Sequence, residues 1–412
     1  MSAALPPAAA VVIVGGGILG CSIAWHLARK GQADVVVLER NDLGSGATSR
    51  SAGLVARGRL HAPTLALVRR TREAMAELEA GLGEPVGFRR VGSVRVASSE
   101  ERAAELATMD GWLADSGIAV RSLDAAGARS LVPWLDASQA RRISYVEDDG
   151  YVDAYQFASA YARAARALGV RIRVRTGVDG LIVAGGRVAG VRTSAGNIHA
   201  GAVVDAAGAW GIGLAEGAGH ALGTAPVRSH YWITAPQPGW PRAHPIVYLP
   251  DARAYARPEV GGLLLGVQEP RSRTYDARRL PADIADFPLT DPDDDFTVLA
   301  DNAPALRPYI PDLDRLPLAH HITGLSTYTP DGRFLIGRAG PHEGFFVAGG
   351  CCGTGVSASG GIGEALASVV LGETPAVDLA DFRPERFGAI DPYGESFRER
   401  CAAARAGKLR RG

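Results

Sequence analysis

The chain has 412 residues, 47% hydrophobic and 21% charged, an ordinary globular make-up that is too long for one simple core, so two domains are expected. Its 44 Lys and Arg balance 44 Asp and Glu, and nothing in that balance points to nucleic acid or an anionic membrane. The start lacks the basic stretch of a signal peptide, no run is long enough to span a membrane, and the four cysteines (Cys21, Cys351, Cys352, Cys401) have neither metal spacing nor a secreted disulfide framework, so a reduced, cytoplasmic setting and no metal site are expected.

Val11–Val14 is an all-apolar run, as in a strand buried on both faces. Ile18 to Arg29 carries apolar residues at helical spacing and ends at Gly31; Val35–Leu38 is a second buried strand, closed by Glu39. Between the first strand and the helix lies Gly15-x-Gly17-x-x-Gly20. The first glycine permits a tight turn, the second lets backbone approach a pyrophosphate, and the third lets helix pack on strand. The helix N-terminus then offers free N–H groups and the positive end of its dipole to phosphate, and Glu39 can accept from ribose hydroxyls. Strand, glycine turn, helix, strand and acid in this order make a nucleotide-binding unit. Gly44–Val55 follows, dense in small and hydroxyl residues that let backbone and side-chain donors reach a phosphate and a polyol chain.

Further on, Leu65–Leu82, Glu100–Gly117 and Tyr155–Gly169 read as helices, and Val91–Val96 as a strand. Arg171–Arg175, Gly180–Val183, Arg187–Thr193 and Val203–Ala206 alternate with turns as a small β-meander does. Val227–Thr234, Ile246–Leu249 and Leu263–Val267 suggest another sheet. Gln268–Asp295, rich in Pro, Asp and Arg, reads as a surface loop or lid. A second glycine turn, Gly349-Gly350-Cys351-Cys352-Gly353-Thr354-Gly355, opens a late helix whose clearest stretch is Gly363–Leu371. A late helix returning to the ligand of the first turn argues for FAD over a nicotinamide, and so for redox chemistry. The basic tail from Ser396 to Gly412 reads as a frayed, solvated end, with a partner-docking helix as the alternative.

These segments resemble the D-amino-acid-oxidase-type FAD oxidoreductases, and within them the sarcosine and dimethylglycine oxidase/dehydrogenase group. The resemblance runs from about Val11 to about Leu371. It includes Asp149-Gly150-Tyr151-Val152-Asp153, Asp205-Ala206-Ala207-Gly208-Ala209-Trp210, and Gly324-Leu325-Ser326-Thr327-Tyr328-Thr329-Pro330-Asp331-Gly332. It implies an α/β, Rossmann-type FAD-binding domain of the glutathione-reductase-like kind, with a mixed-sheet, α+β substrate domain over the flavin. The corresponding boundaries are 1–85, 145–215 and 325–380 for the first, 86–144 and 216–324 for the second, and 381–412 for a tail. The cofactor-binding set drawn from the motifs and the resemblance is Gly15, Gly17, Ile18, Leu19, Gly20, Glu39, Arg40, Ser45, Gly46, Ala47, Thr48, Ser49, Arg50, Ala52, Gly53, Leu54, Val178, Ala207, Gly208, Trp210, Gly350, Cys351, Gly353, Thr354, Gly355 and Val356.

Some relatives attach FAD through a His in the early loop, others through a Cys before the Tyr-Thr-Pro-Asp segment. The matching residues here are Arg50 and Ser326, so FAD is expected to be non-covalent. The dimethylglycine group often carries a folate-binding half after the flavin fold; this chain stops shortly after that fold, and a released carbon is expected to leave as a free aldehyde or oxo-acid. Cys351 and Cys352 match neither attachment point and read as small, buried apolar residues.

Ser229-His230-Tyr231-Trp232 and Ala254-Tyr255-Ala256-Arg257 resemble the segments that carry an active-site His and Tyr in dimethylglycine oxidases, which makes His230 and Tyr255 the catalytic candidates. The expected reaction is oxidation of the C–N bond of a secondary or tertiary amine, or of an imino or amino acid, by hydride transfer to flavin N5. Arg50, Arg257 and Arg333 are candidates for a substrate carboxylate, and each also reads as a structural or surface side chain. Oxygen or another carrier would reoxidise the flavin. Two other readings keep the fold: the flavin-bearing subunit of a hetero-oligomeric oxidase, with the tail and Cys401 facing the partner subunit, and a flavin-binding relative without turnover.

Overall fold

The structure is a computed structural model that describes residues 5–284, 287 and 289–408. An eight-stranded sheet is built on β1 (Ala8–Val14), β2 (Val35–Leu38), β9 (Arg171–Arg173), β10 (Gly180–Ala184), β11 (Arg187–Thr193), β12 (Gly196–Asp205), β18 (Leu335–Arg338) and β19 (Phe345–Gly349). The order is β10-β11-β12-β1-β2-β9, with β19 paired to β12 and β18 to β19. β9, β2, β1, β12 and β19 run parallel, as strands joined by helical crossovers do. One face buries helices α1 (Ile18–Arg29), α2 (Ala62–Leu82), α5 (Ala154–Ala167) and α8 (Gly355–Val370); the other buries α6 (Gly211–Gly217).

The second eight-stranded sheet contains β5 (Ser93–Ala97), β6 (Arg121–Ser122), β7 (Arg142–Val146), β13 (Ala225–Thr234), β14 (Ile246–Leu249), β15 (Ala254–Glu259), β16 (Gly262–Val267) and β17 (Leu318–Tyr328). Its order is β17-β13-β16-β15-β14-β5-β7-β6, antiparallel except where β14 joins β5. Helices α3 (Glu100–Asp115), α4 (Ala125–Leu131), α7 (Pro292–Leu306) and α9 (Glu395–Ala406) belong to this half. A small sheet of β3 (Leu54–Val55), β8 (Gly150–Tyr151) and β4 (Arg89–Arg90) joins the two halves.

Three expectations are corrected. Arg171–Arg173 is not part of the meander. It follows α5, and the crossover delivers it parallel to β2 at the opposite sheet edge; only β10, β11 and β12 form the antiparallel run. The loop expected over Gln268–Asp295 gives way to α7 at Pro292; residues 285, 286 and 288 lie outside the described set. The tail is not frayed over its described part. Phe397, Cys401, Ala404 and Arg405 recur at helical spacing and are buried; Phe397 and Cys401 pack with Ala225, Val227, Tyr328 and Cys352. Cys401 therefore faces the chain's own core, with no exposed surface to offer a partner. Residues 409–412 lie outside the described set.

Helix α8 meets α2 at backbone distance. A Cβ on Gly361 would lie 2.4 Å from Leu67 Cα and O. Gly361→Ala is therefore expected to destabilise the fold by about 1–3 kcal/mol, the cost of overpacking a tight contact, read as a lower midpoint in urea with unchanged slope.

Candidate active site

A cavity of about 290 Å³ runs from the first glycine turn to the second sheet. At one end the turn after β1 leaves no room for side chains. Gly15 has φ +110°, and a Cβ there would lie 2.4 Å from Ala206 O; a Cβ on Gly20 would lie 1.9 Å from Gly15 O. The α1 N-terminus has no side-chain cap on Gly17, although Ile18 N–H donates to Thr48 Oγ1 at 3.1 Å. Glu39 accepts from Gly16 N–H (2.7 Å) and Asn41 N–H (2.8 Å), so its carboxylate is held beside the turn. The α8 N-terminus, also without a side-chain cap, opens into the same cavity at Gly353–Ser357. Two uncapped helix ends with their positive dipoles, a glycine cradle and a fixed acid fit a dinucleotide's pyrophosphate, ribose and electron-rich ring.

All but three members of the expected cofactor set line this cavity. Gly20 packs helix on turn, Ser49 turns its hydroxyl to Ser45 O and Gly46 O, and Gly350 packs on Thr329 and Leu335. Arg40 stacks over Trp210 at 5.1 Å and donates to Ala282 O, while Trp210 donates to Pro281 O. Part of the expected lid thus covers that end of the cavity. Cys351 borders the cavity with its thiol pushed up to about 12 by burial, and Cys352 is buried; both are free thiols.

The other end is set by strand register. Arg95, Tyr248, Tyr255, Gly266 and Tyr231 pair in one cross-strand row over β5, β14, β15, β16 and β13, and so share the face towards the cavity. Gly266 is the gap in the row: a Cβ there would lie 2.1 Å from Tyr255 Cζ, so the Tyr255 ring occupies that space. Burial raises the phenols of Tyr255 and Tyr248, and raises Tyr231 to about 12, so these rings stay protonated and neutral.

Alternation along β13 sends Arg228, His230 and Trp232 to the opposite face. His230 borders the cavity, yet its side chain is wholly buried. Its ring packs 4.8 Å from Trp232 and 5.6 Å from His321, and Nε2 lies 3.2 Å from Glu269 Oε2. His230 thus meets the cavity border from behind the row. Of the three arginines, Arg50 borders the cavity and donates to Ser45 O. Arg257 is spent on Ala52 O, Pro258 O and Glu259 beside the Tyr151 ring, and Arg333 pairs with Asp381 at the surface; neither borders the cavity.

Four cations missed by the sequence reading border it instead: Arg59, Arg95, Arg405 and Lys408. Arg405 reaches in from α9, pairs with Glu269 and donates to Ser272 Oγ and Val267 O. Lys408 Nζ donates to Gly353 O at 2.7 Å. Its ammonium is pushed down to about 7, first by burial and then by the nearby Arg59 and Arg405. A basic tail carries no positional signal that could have announced these contacts.

Residues 10–369 match the family described as FAD dependent oxidoreductase. The chain belongs to that family. As an FAD-dependent oxidoreductase, it takes FAD as its cofactor. It is 29% identical over 403 residues to the mitochondrial pyruvate dehydrogenase phosphatase regulatory subunit of Mus musculus, covering 97% of this chain and 45% of that protein. It is also 29% identical over 403 residues to the mitochondrial dimethylglycine dehydrogenase of Rattus norvegicus, covering 92% of this chain and 45% of that protein. The oxidoreductase chain thus spans about half the length of these relatives. Among solved structures, glycine oxidase from Geobacillus kaustophilus superposes with a TM-score of 0.78 at 26% identity, over 94% of this chain and all of that one. No helix among the described residues is long and apolar enough to cross a membrane.

Burial pushes the Glu269 carboxyl up, but Arg405 and then His230 outweigh it and hold it at about 2. The pair therefore stabilises the fold fully above the ordinary value of 4.5, and that stabilisation is lost as pH falls towards about 2. Arg405→Gln is expected to cost about 3–5 kcal/mol at neutral pH by stranding a buried carboxylate, and to flatten the acid limb of stability, both read by urea unfolding across pH.

Proposed function

We propose that this oxidoreductase oxidises the C–N bond of a secondary or tertiary amine or an amino acid. The observation that carries the reading is the single cavity, which joins the dinucleotide cradle to a row of neutral tyrosines and a set of buried cations. When bound, FAD supplies the hydride acceptor at flavin N5.

The chain's own residues would prepare the amine. An amine gives up hydride from its carbon only with the nitrogen lone pair free. Arg405 and Lys408 border the cavity, and both burial and like charge disfavour an ammonium there. Burial lowers the Lys408 ammonium in the same direction. Tyr255, fixed by the space over Gly266, presents its phenol to the amine and aligns it. His230 acts as a positioning residue: through Glu269 it sets Arg405, which also contacts Ser229 Oγ at 3.3 Å. Arg50 stands on the cofactor side, packed against Gly324.

The dimethylglycine dehydrogenase relative and the glycine oxidase neighbour favour N-alkyl and small amino acids. The regulatory-subunit relative favours the second reading, a flavin-binding chain without turnover. The test is anaerobic. Sarcosine, dimethylglycine, N-methyl ω-amino acids, proline and primary amino acids are added to the yellow protein. Bleaching by an N-alkyl amine supports C–N oxidation, and a flavin that none of them bleaches supports the second reading. We further propose that FAD is held without a covalent bond, since Arg50 and Ser326 stand at the expected attachment positions. Acid precipitation should leave the yellow colour in the supernatant; colour in the pellet contradicts it.

A further inference from the structure

Among the described residues Arg95 is a buried charge in no ion pair. It has 4% of its surface exposed, and among the described residues neither Nε nor Nη2 meets an acceptor. Its guanidinium lies 4.4 Å from the centre of the Tyr248 ring. Arg59, from the segment after β3, donates through Nη1 to Gly58 O at 2.9 Å and leaves Nε unpartnered. Gly58 lacks the Cβ that would lie 2.1 Å from Arg95 Nη2, so the backbone is clear of that guanidinium. The buried Asp149 carboxylate is engaged elsewhere, by Ser93 Oγ at 2.7 Å, Arg57 N–H at 2.9 Å and the Arg57 guanidinium at 3.7 Å. Two interior guanidiniums facing a cavity without an anion are costly, and a ligand's anion would remove the cost. Planar forks of N–H donors suit a carboxylate.

The place of this pair matters as much as its charge. In the cross-strand row Arg95 stands two strands from Tyr255 and four from Tyr231, about 10 and 19 Å between backbones at the usual strand spacing. The cofactor-side segment meets the other side of the sheet, where Arg50 packs on Gly324 of β17 next to β13. Arg95 therefore stands on the far side of Tyr248 from Tyr255, the residue proposed to align the amine. Building on the proposed C–N oxidation, we infer that Arg95 and Arg59 anchor a carboxylate carried several carbons away from the C–N bond. The substrate class is then an N-alkyl ω-amino acid or a comparable amine with a remote acid, rather than an α-amino acid whose carboxylate adjoins the reacting carbon. The two arginines set specificity; they do not take part in the oxidation.

The test uses the FAD-loaded chain without oxygen and a series of N-methylamino carboxylates with one to four methylenes between nitrogen and acid, each beside its neutral amide. Affinity read from flavin bleaching should be weakest for sarcosine and rise with chain length. Arg95→Gln should weaken binding of the long acids about tenfold to hundredfold, the loss expected for a charge-assisted hydrogen bond, and leave the amides and the limiting rate unchanged. Arg59→Gln should show the same selectivity and serves if Arg95→Gln does not fold. Tightest binding by sarcosine, or equal losses for acids and amides, overturns the inference. If no amine bleaches the flavin, the C–N reading fails, and the anchor is judged by thermal melting with butanoate. A rise in midpoint confined to the wild type supports the anchor; an absent rise, or an equal rise in the variants, overturns it.

Discussion

Between β1 and α1 the backbone closes on itself so tightly that one added carbon at Gly20 would lie 1.9 Å from the Gly15 carbonyl oxygen. That contact sets the axis of α1. The axis points the helix end, with its free N–H groups, into the space that Glu39 and the Gly44–Val55 segment enclose. The same turn leans on Ala206 at the end of β12, and β12 carries β19 on its far side. Through β19 the loop that opens α8 is placed across the cavity from α1. Two helix ends far apart in the chain thus converge because one turn tolerates no side chain.

Charge then divides the cavity. The cradle presents backbone donors and dipole ends, which suit phosphates and an electron-rich ring. The far wall presents four basic side chains, of which Arg405 has a strong protein counter-ion. Neutral tyrosines lie between. Such a wall favours an anion and disfavours a further cation. The back of the same sheet holds the balancing acids, with Glu269 and Asp295 set among Arg228, His230 and His321. Glu269 joins this network to the cavity wall, since it pairs with both His230 and Arg405.

Much of the first half was legible in the sequence, because its function needs glycines at fixed offsets and buried strands without alternation. Gly15, Gly17 and Glu39 announce their neighbours within one βαβ unit. The second half was not legible to the same degree. Tyr255 was singled out by its segment and borders the cavity, but the face on which His230 lies depends on register against β16 and β17, and one residue of offset reverses it. Arg95 reads as an ordinary arginine, since only the pairing of β5 with β14 brings it to the tyrosine row. The tail misled for a related reason. Its charge was visible, whereas the Phe397, Cys401 and Arg405 spacing acquires meaning only against a surface made from β13 and β17.

Helix α9 comes after every strand of both sheets, and yet Arg405 and Lys408 form part of the cavity wall. These residues are held by the packing of Phe397 and Cys401 against Ala225, Val227 and Tyr328, so whatever loosens α9 also opens the cavity wall.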